Sequence, residues 1–500
     1  VKLFENPIFL TQKRLVHRNG VLAAILIAVL VGFCLLLGLV GSQHNAASNF
    51  RPPQMAGKVF YAWAMGIEIL VLVIGGFSRI ARTLADDRKA GLWDSNRLTP
   101  LKPRDLVTGY WLGPALREFY MAAVLAGFGL IIVLAGGLPI TFWLGTQILI
   151  ASTALFFGLL GILAGMAFQR SQGILIFLVF LFAFPFSFFA PSRMVTNFLL
   201  PIYGIGNFFN SPHDSANYRS SMDWGGLPEI FGFPVYPILL SLGLQLIIGI
   251  FVWRALVRKT ANPFQPLLLR WEAVALFVIL LASQHALLWD LWRGKFPSPA
   301  HAYDGFNIYD REALLAVVHG GTIFIGILLI AFASPLPERV RIESLRLGFK
   351  NFGAIFSRSS VSLALALAAI AGAGLLTQVM FSLADSFQIF IVTAINLAEI
   401  FLVFALLLEF CRLRHKRRAL GFVALWLFIL CVIPFILAGV FSSDLVAHTS
   451  LLSPGFVALS DRNDSEWSLP FYTVLAHFGV IVVLFIGWRR QWEKLLAKNS

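Results

Sequence analysis

Five hundred residues, 58% of them hydrophobic and only 13% charged, give a mean hydropathy of +0.80. A soluble globular chain carries about 25% charged residues, so a water-soluble enzyme or binding module is excluded. The net charge of +14 would suit nucleic acid, but these Lys and Arg residues flank apolar runs, as in cytoplasmic loops of membrane proteins, and nucleic-acid binding is set aside.

Apolar runs of about 20 residues, long enough to cross the hydrocarbon core as helices, recur along the chain. They fall near 21–41, 60–80, 112–135, 140–168, 172–190, 236–256, 271–290, 313–333, 361–383, 387–410, 419–440 and 470–488. The first, Val21 to Val40, is too long for the apolar core of a signal peptide and reads as a retained helix. With the N-terminus inside, thirty Lys and Arg residues fall in inner segments and eight in outer ones, the bias that orients membrane proteins. The expected fold is an all-α polytopic membrane protein of about twelve transmembrane helices, with both termini cytoplasmic. Cys34, Cys411 and Cys431 show no pairing pattern and read as buried apolar residues.

Loop lengths suggest an internal duplication into two six-helix halves, 1–258 and 259–500. Each half runs through a medium outer loop, a long inner loop, a short outer turn, a short inner turn and a long outer loop. "TPLKPR" at 99–104 is echoed by "SPLPER" at 334–339. Duplicated architectures are common among transporters, whose substrate path usually lies between the repeats.

Between the second and third spans, "DDRKAGLWDSNRLTPLKPRD" (86–105) is a charged segment marked by two prolines. Residues 82–98 read as one helix, with Leu84, Ala85, Leu92 and Trp93 on a broad face, ended by Thr99 and Pro100 because a residue before proline leaves the helical region. Mixed charge with an exposed Trp suits a protein partner.

"DDRKAGLWDSNRLTPLKPRDLVTGYWLG" (86–113) resembles the cytoplasmic coupling segment of ABC-2-type transporter permeases. "ENPIFLTQKRLVHRNG" (5–20) is similar to that family's amphipathic interface helix. The likeness covers residues 1–258; the acidic position of the motif is Asp86 or Asp87, its Gly-Thr is Gly91-Leu92, and the Lys that opens the next span is Tyr110. It implies a permease subunit that moves a substrate, in the direction of export, across a bacterial inner membrane. The chain has no G-x-x-x-x-G-K-[ST] phosphate loop. It is therefore expected to be no enzyme and to carry no cofactor. ATP and Mg would be held by a separate ATP-binding-cassette ATPase, expected as a dimer, docked on Asp87, Leu92, Trp93, Thr99, Pro100 and Leu101. Asn6–Arg18 and Glu338–Lys350 are further docking segments.

Ionisable residues at membrane depth are rare and mark functional sites by default. Glu68 and Glu399 are candidates for the translocation path; Glu68 would otherwise pair with Arg117, or make a helix–helix hydrogen bond. His319 reads as a packing residue, and Arg117 with Glu118 as groups near the inner end of the third span. Gly161 and Gly165 permit close helix approach. The nine histidines have no metal-ligand spacing, and "NDS" at 463–465 matches a glycosylation sequon. Three alternatives stay open: a proton-coupled secondary transporter of the twelve-span facilitator type, a membrane-embedded enzyme, and a permease that homodimerises instead of pairing its own halves.

Overall fold

The computed structural model describes residues 6–18, 20–46, 53–167, 229–230, 233–234, 237–263, 265–287, 311–334, 356, 359–382, 387–415, 419–427, 429–430, 433, 450–451 and 468–497. These residues are helical apart from turns and a two-residue antiparallel ladder, β1 (Glu229–Ile230) on β2 (Phe233–Pro234). Eight helices are long and apolar enough to cross a membrane: Val21–Ser42, Ala56–Lys89, Leu116–Ala135, Ile140–Met166, Ile238–Ala261, Arg270–Leu287, Ile391–Arg414 and Val474–Lys494. The chain is an integral, multi-pass membrane protein. Val318–Ala333 and Ser360–Leu376, at the eighth and ninth expected spans, are shorter apolar helices. The fifth expected span, 172–190, lies outside the described residues, as do Glu338–Lys350, Cys431 and the sequon.

Two compact units divide the chain. The first comprises Val1–Phe188, Thr196–Pro228 and Val235–Pro263, and the second Phe189–Val195, Glu229–Pro234 and Phe264–Ser500. In the first, α1 (Pro7–Arg18) and α2 (Val21–Ala46) precede a continuous second span. That span is built from α3 (Pro53–Ile69), a π-helical stretch Leu70–Gly75, and α4 (Gly76–Lys89). Then come α5 (Leu92–Leu98), α6 (Pro103–Leu112), α7 (Leu116–Ala135), α8 (Ile140–Ala167) and α9 (Pro237–Ala261). The second unit holds α10 (Arg270–Leu287), α11 (Arg311–Ala333), α12 (Ser360–Ser382), α13 (Phe387–His415), α14 (Ala419–Leu427) and α15 (Ser468–Ala497).

Within each unit the spans neighbour one another in the same way. In the first, α2 lies against α3 and α7, α3 against α7, α4 against α8, α7 against α8, and α8 against α9. In the second, α10 lies against α11 and α12, α11 against α12 and α13, α12 against α13, and α13 against α15. Numbered by the six spans expected in each half, the described helices of each unit pair first with second and third, second with third and fourth, third with fourth, and fourth with sixth.

Apolar surface behaves as expected for lipid contact. Leu22, Leu26, Leu30, Phe33 and Leu37 stand exposed on α2, a stripe at helical spacing that hydrocarbon rather than water would cover. Cys34 lies on the exposed side of this helix, against the expectation of burial; Cys411 is buried. Close packing depends on small residues. A Cβ on Gly161 would lie 3.0 Å from the Phe77 carbonyl oxygen, and one on Gly165 2.9 Å from that of Ala81, so both glycines let α8 touch the α4 backbone. Where hydrocarbon solvates both the separated and the packed helices, such van der Waals contact drives association.

Gly165→Leu should push α4 and α8 apart and lower stability by about 1–3 kcal/mol, read as an earlier melting transition in detergent. Gly66→Ala, where a Cβ meets nothing within 4 Å, should leave the transition in place.

Candidate functional site

The segment between the second and third spans folds as an elbow. The single helix expected over 82–98 is instead two. α4 stops at Lys89, Gly91 takes a left-handed conformation (φ +73°), and α5 starts at Leu92. A residue with a Cβ is disfavoured in that conformation, so Gly91 sets the first bend. Thr99 then turns extended before Pro100, as a residue preceding proline must, and its hydroxyl donates to the Asn96 carbonyl at 2.5 Å. Lys102 is extended and Pro103 opens α6, where a missing N–H costs nothing.

Trp93 overturns the expectation of an exposed anchor. It is only 5% exposed and sits edge-on to Tyr110, ring centroids 5.2 Å apart at 65°. The Tyr110 hydroxyl donates to Asp87 Oδ2 at 2.6 Å and accepts from Asn96 Nδ2 at 3.3 Å. Burial, reinforced by the hydrogen bond to Asp87 and the nearby negative charge, pushes the Tyr110 hydroxyl well above the ordinary tyrosine range, so it stays a donor. Trp93 and Asp87 therefore hold the elbow together. Its outward edge is Leu92 (52% exposed), Leu98 (89% exposed), Thr99 and Pro100, with Leu101 half-buried behind it.

The elbow is stapled to helix ends of its own unit. Arg88 Nη1 donates to the carbonyls of Gly165, at 3.1 Å, and Met166 at the end of α8. Arg97 Nε donates to the Thr260 carbonyl at the end of α9, at 2.7 Å. Terminal helix carbonyls have no partner inside their own helix, and cationic side chains are good ones. From the other side α1 lies along α6. Asn6 caps α1 through Oδ1, which accepts from the backbone of Ile8 at 3.0 Å, while its Nδ2 donates to the Asp105 carbonyl at 2.6 Å. Gly109 and Gly113 form the seat: a Cβ on either would come within 2.8 Å of Ile8 or Gln12.

Deeper in the bundle, Glu68 is buried and accepts from Gln147 Nε2 of α8 at 2.9 Å. Arg117 instead pairs with its neighbour Glu118, at 2.9 Å, and Arg79 also approaches Glu118, at 3.8 Å. Both Arg117 and Glu118 stand in the first turn of α7. A second polar link joins α8 to α9: Ser152 donates to Gln245 Oε1 at 2.7 Å, and Gln245 Nε2 donates to Thr153 at 2.9 Å.

The second unit has links on the matching helix pairs. His319 of α11 meets Asn396 of α13, Nε2 to Oδ1 3.5 Å, and Asn396 donates to the Leu451 carbonyl at 2.9 Å. Glu399 of α13 lies 3.6 Å from Nδ1 of His477 on α15. His319 is thus a packing residue in part, as expected, and also a member of this polar row. Sequence reading passed over Gln147, Asn396, His477 and Leu98. A neutral amide or a histidine in an apolar run signals little until its partner helix is known, and Leu98 sits in an otherwise ordinary helical pattern.

Among the described residues no three His, Cys, Asp or Glu side chains gather as a metal site. Comparison with protein-family models, curated proteins and solved structures finds no match for this chain. The geometry of the elbow and of the polar rows therefore carries the functional argument by itself.

Tyr110→Phe should leave Asp87 and Asn96 without their shared partner, a loss of about 1–3 kcal/mol confined to the elbow. Protease cleavage between residues 90 and 100 should accelerate while the global melting transition barely moves.

Proposed function

We propose that the chain is the membrane-spanning subunit of an ATP-driven transporter of the ABC-2 type, and that a separate ATP-binding-cassette ATPase docks on the elbow. The observation that carries this reading is the combination of an exposed edge, Leu92–Leu98–Thr99–Pro100, with arginine contacts from the elbow to the ends of α8 and α9. A partner pushing on that edge would work directly on two spans of the same unit. Interface anchors are commonly a few apolar or aromatic residues in a polar surround, and Asp86, Lys89, Asp94, Lys102 and Arg104 supply that surround. α1, seated on α6, extends the docking surface.

The bias of Lys and Arg puts the elbow on the cytoplasmic side, both termini with it, and twelve spans across the membrane. The repeated neighbour pattern of the two units favours two six-helix halves serving as a complete permease, with homodimerisation as the alternative within the same class. ATP and Mg belong to the ATPase, and this chain acts by moving a substrate, outward, across a bacterial inner membrane.

Purification in mild detergent followed by mass measurement tests the assignment. One copy of this chain with two ATPase subunits supports the fused-halves form, and two copies with two ATPases support the homodimer. Transport that follows a proton gradient with no ATPase bound would replace the reading with the secondary transporter. Leu98→Asp and Leu92→Asp should each weaken ATPase binding at least tenfold, about 1.4 kcal/mol, without loss of membrane insertion. Trp93→Asp, by contrast, should collapse the elbow itself, because this ring is buried.

A further inference from the structure

Two glutamates on α13 occupy opposite environments. Glu409 is well supplied with donors: Oε1 accepts from the backbone N–H and the hydroxyl of Ser360, both at 2.5 Å, and Oε2 accepts from Trp488 Nε1 at 2.8 Å. Ser360 opens α12, so the partial positive charge of a helix N-terminus adds to those donors. Glu399, nearer the middle of the same span, is 3% exposed, and among the described residues no donor reaches either of its oxygens with full hydrogen-bond geometry, Asn396 and His477 being the polar side chains beside it. What it has is His477, itself 7% exposed, with Nδ1 3.6 Å from Oε2. A buried carboxylate without donors is strongly disfavoured unless it gains a proton or a charged partner.

Both remedies need the same thing. Either the carboxyl carries a proton beside a neutral imidazole, or the imidazole carries it beside a carboxylate. Among the described residues, the other titratable groups on the helices packed here are engaged elsewhere or stand at helix ends. α12 (Ser360–Ser382) and α14 (Ala419–Leu427) contain no acidic or basic side chain. From α11 comes His319, which is joined to Asn396. On α10, Glu272 accepts from the Leu269 backbone and His285 bonds the Leu281 and Gly374 carbonyls. Cys411, Arg412, Arg414 and His415 lie with Glu409 at the far end of α13, where Arg412 donates to the Ala331 and Ser334 carbonyls. Arg489, Arg490, Glu493 and Lys494 occupy the far end of α15, with Arg489 bound to Glu493 at 2.8 Å.

The first unit shows that bundle packing does not require such a pair. Its matching link between fourth and sixth spans is made by Ser152, Thr153 and Gln245, all neutral and mutually hydrogen-bonded.

We propose that Glu399 and His477 bind a single proton between them, so that the second unit carries a proton site in its interior. The site is distinct from the ATPase edge, and the inference holds whether ATP or an ion gradient drives the chain. With the proton present, α13 and α15 meet through a neutral pair. Once it leaves, a bare carboxylate remains between them and the contact is destabilised.

Infrared difference spectra of the full chain in lipid nanodiscs, taken as pH rises from below the ordinary histidine range of about 6.5 to well above it, test this. The wild type should lose one protonated-carboxyl or imidazolium signal, and Glu399→Gln, nearly the same shape, should abolish that loss while Glu68→Gln leaves it unchanged. His477→Gln removes the basic partner, so Glu399 should keep the proton itself and show a protonated-carboxyl signal near neutrality. Two results would overturn the proposal: a wild-type spectrum in which no signal depends on Glu399, or an ionised Glu399 in the His477→Gln protein. The second variant decides the matter even if Glu399→Gln fails to assemble.

Discussion

The last carbonyls of each membrane helix have no donor within their own helix, and near the hydrocarbon boundary water is a poor substitute. Much of this chain is organised around meeting that need with arginine. Arg88 closes the end of α8, Arg97 the end of α9, and Arg412 the end of α11; Arg270 reaches the Ser359 carbonyl just before α12. The arginines that flank the apolar runs are thus also the joinery of the chain. They fix neighbouring helix ends at a common level within each unit, and in the first unit two of them come from the elbow.

Polar links inside the spans have a different weight. A helix–helix hydrogen bond in a membrane contributes about 0.6 kcal/mol on average, so Glu68–Gln147 or Ser152–Gln245 specify register more than they hold helices together. Cohesion comes from close backbone approach at positions such as Gly161 and Gly165. The two units share this plan, and they differ in what the matching positions carry: neutral amides and hydroxyls between the fourth and sixth spans of the first, a carboxyl and an imidazole in the second.

The residues revealed their helical, membrane-embedded character directly, because apolar run length is set by bilayer thickness. Gly161 and Gly165 were also readable, since spacing alone places them on one helix face. The elbow's shape was less so. Leu84, Ala85, Leu92 and Trp93 continue a helical pattern through Gly91, and glycine within such a pattern is compatible with either an unbroken helix or a break. Trp93 looked like a surface anchor because its cover, Tyr110, comes from the next helix. Glu399 was visible as an intramembrane acid, but its partner His477 belongs to a helix far along the chain, and proximity across such a distance is a property of packing rather than of local pattern.

The π-helical stretch Leu70–Gly75 has a geometric consequence for everything after it. A π turn holds one residue more than an α turn, which rotates the downstream helix by about 100° relative to an unbroken α-helix. That rotation lets one continuous rod show its α3 part to α7 and its α4 part to α8. It also sets the azimuth at which the elbow leaves the bundle. Shortening this stretch by one residue would restore the ordinary winding and swing Leu92 and Leu98 to another bearing, with every side chain of the elbow unaltered.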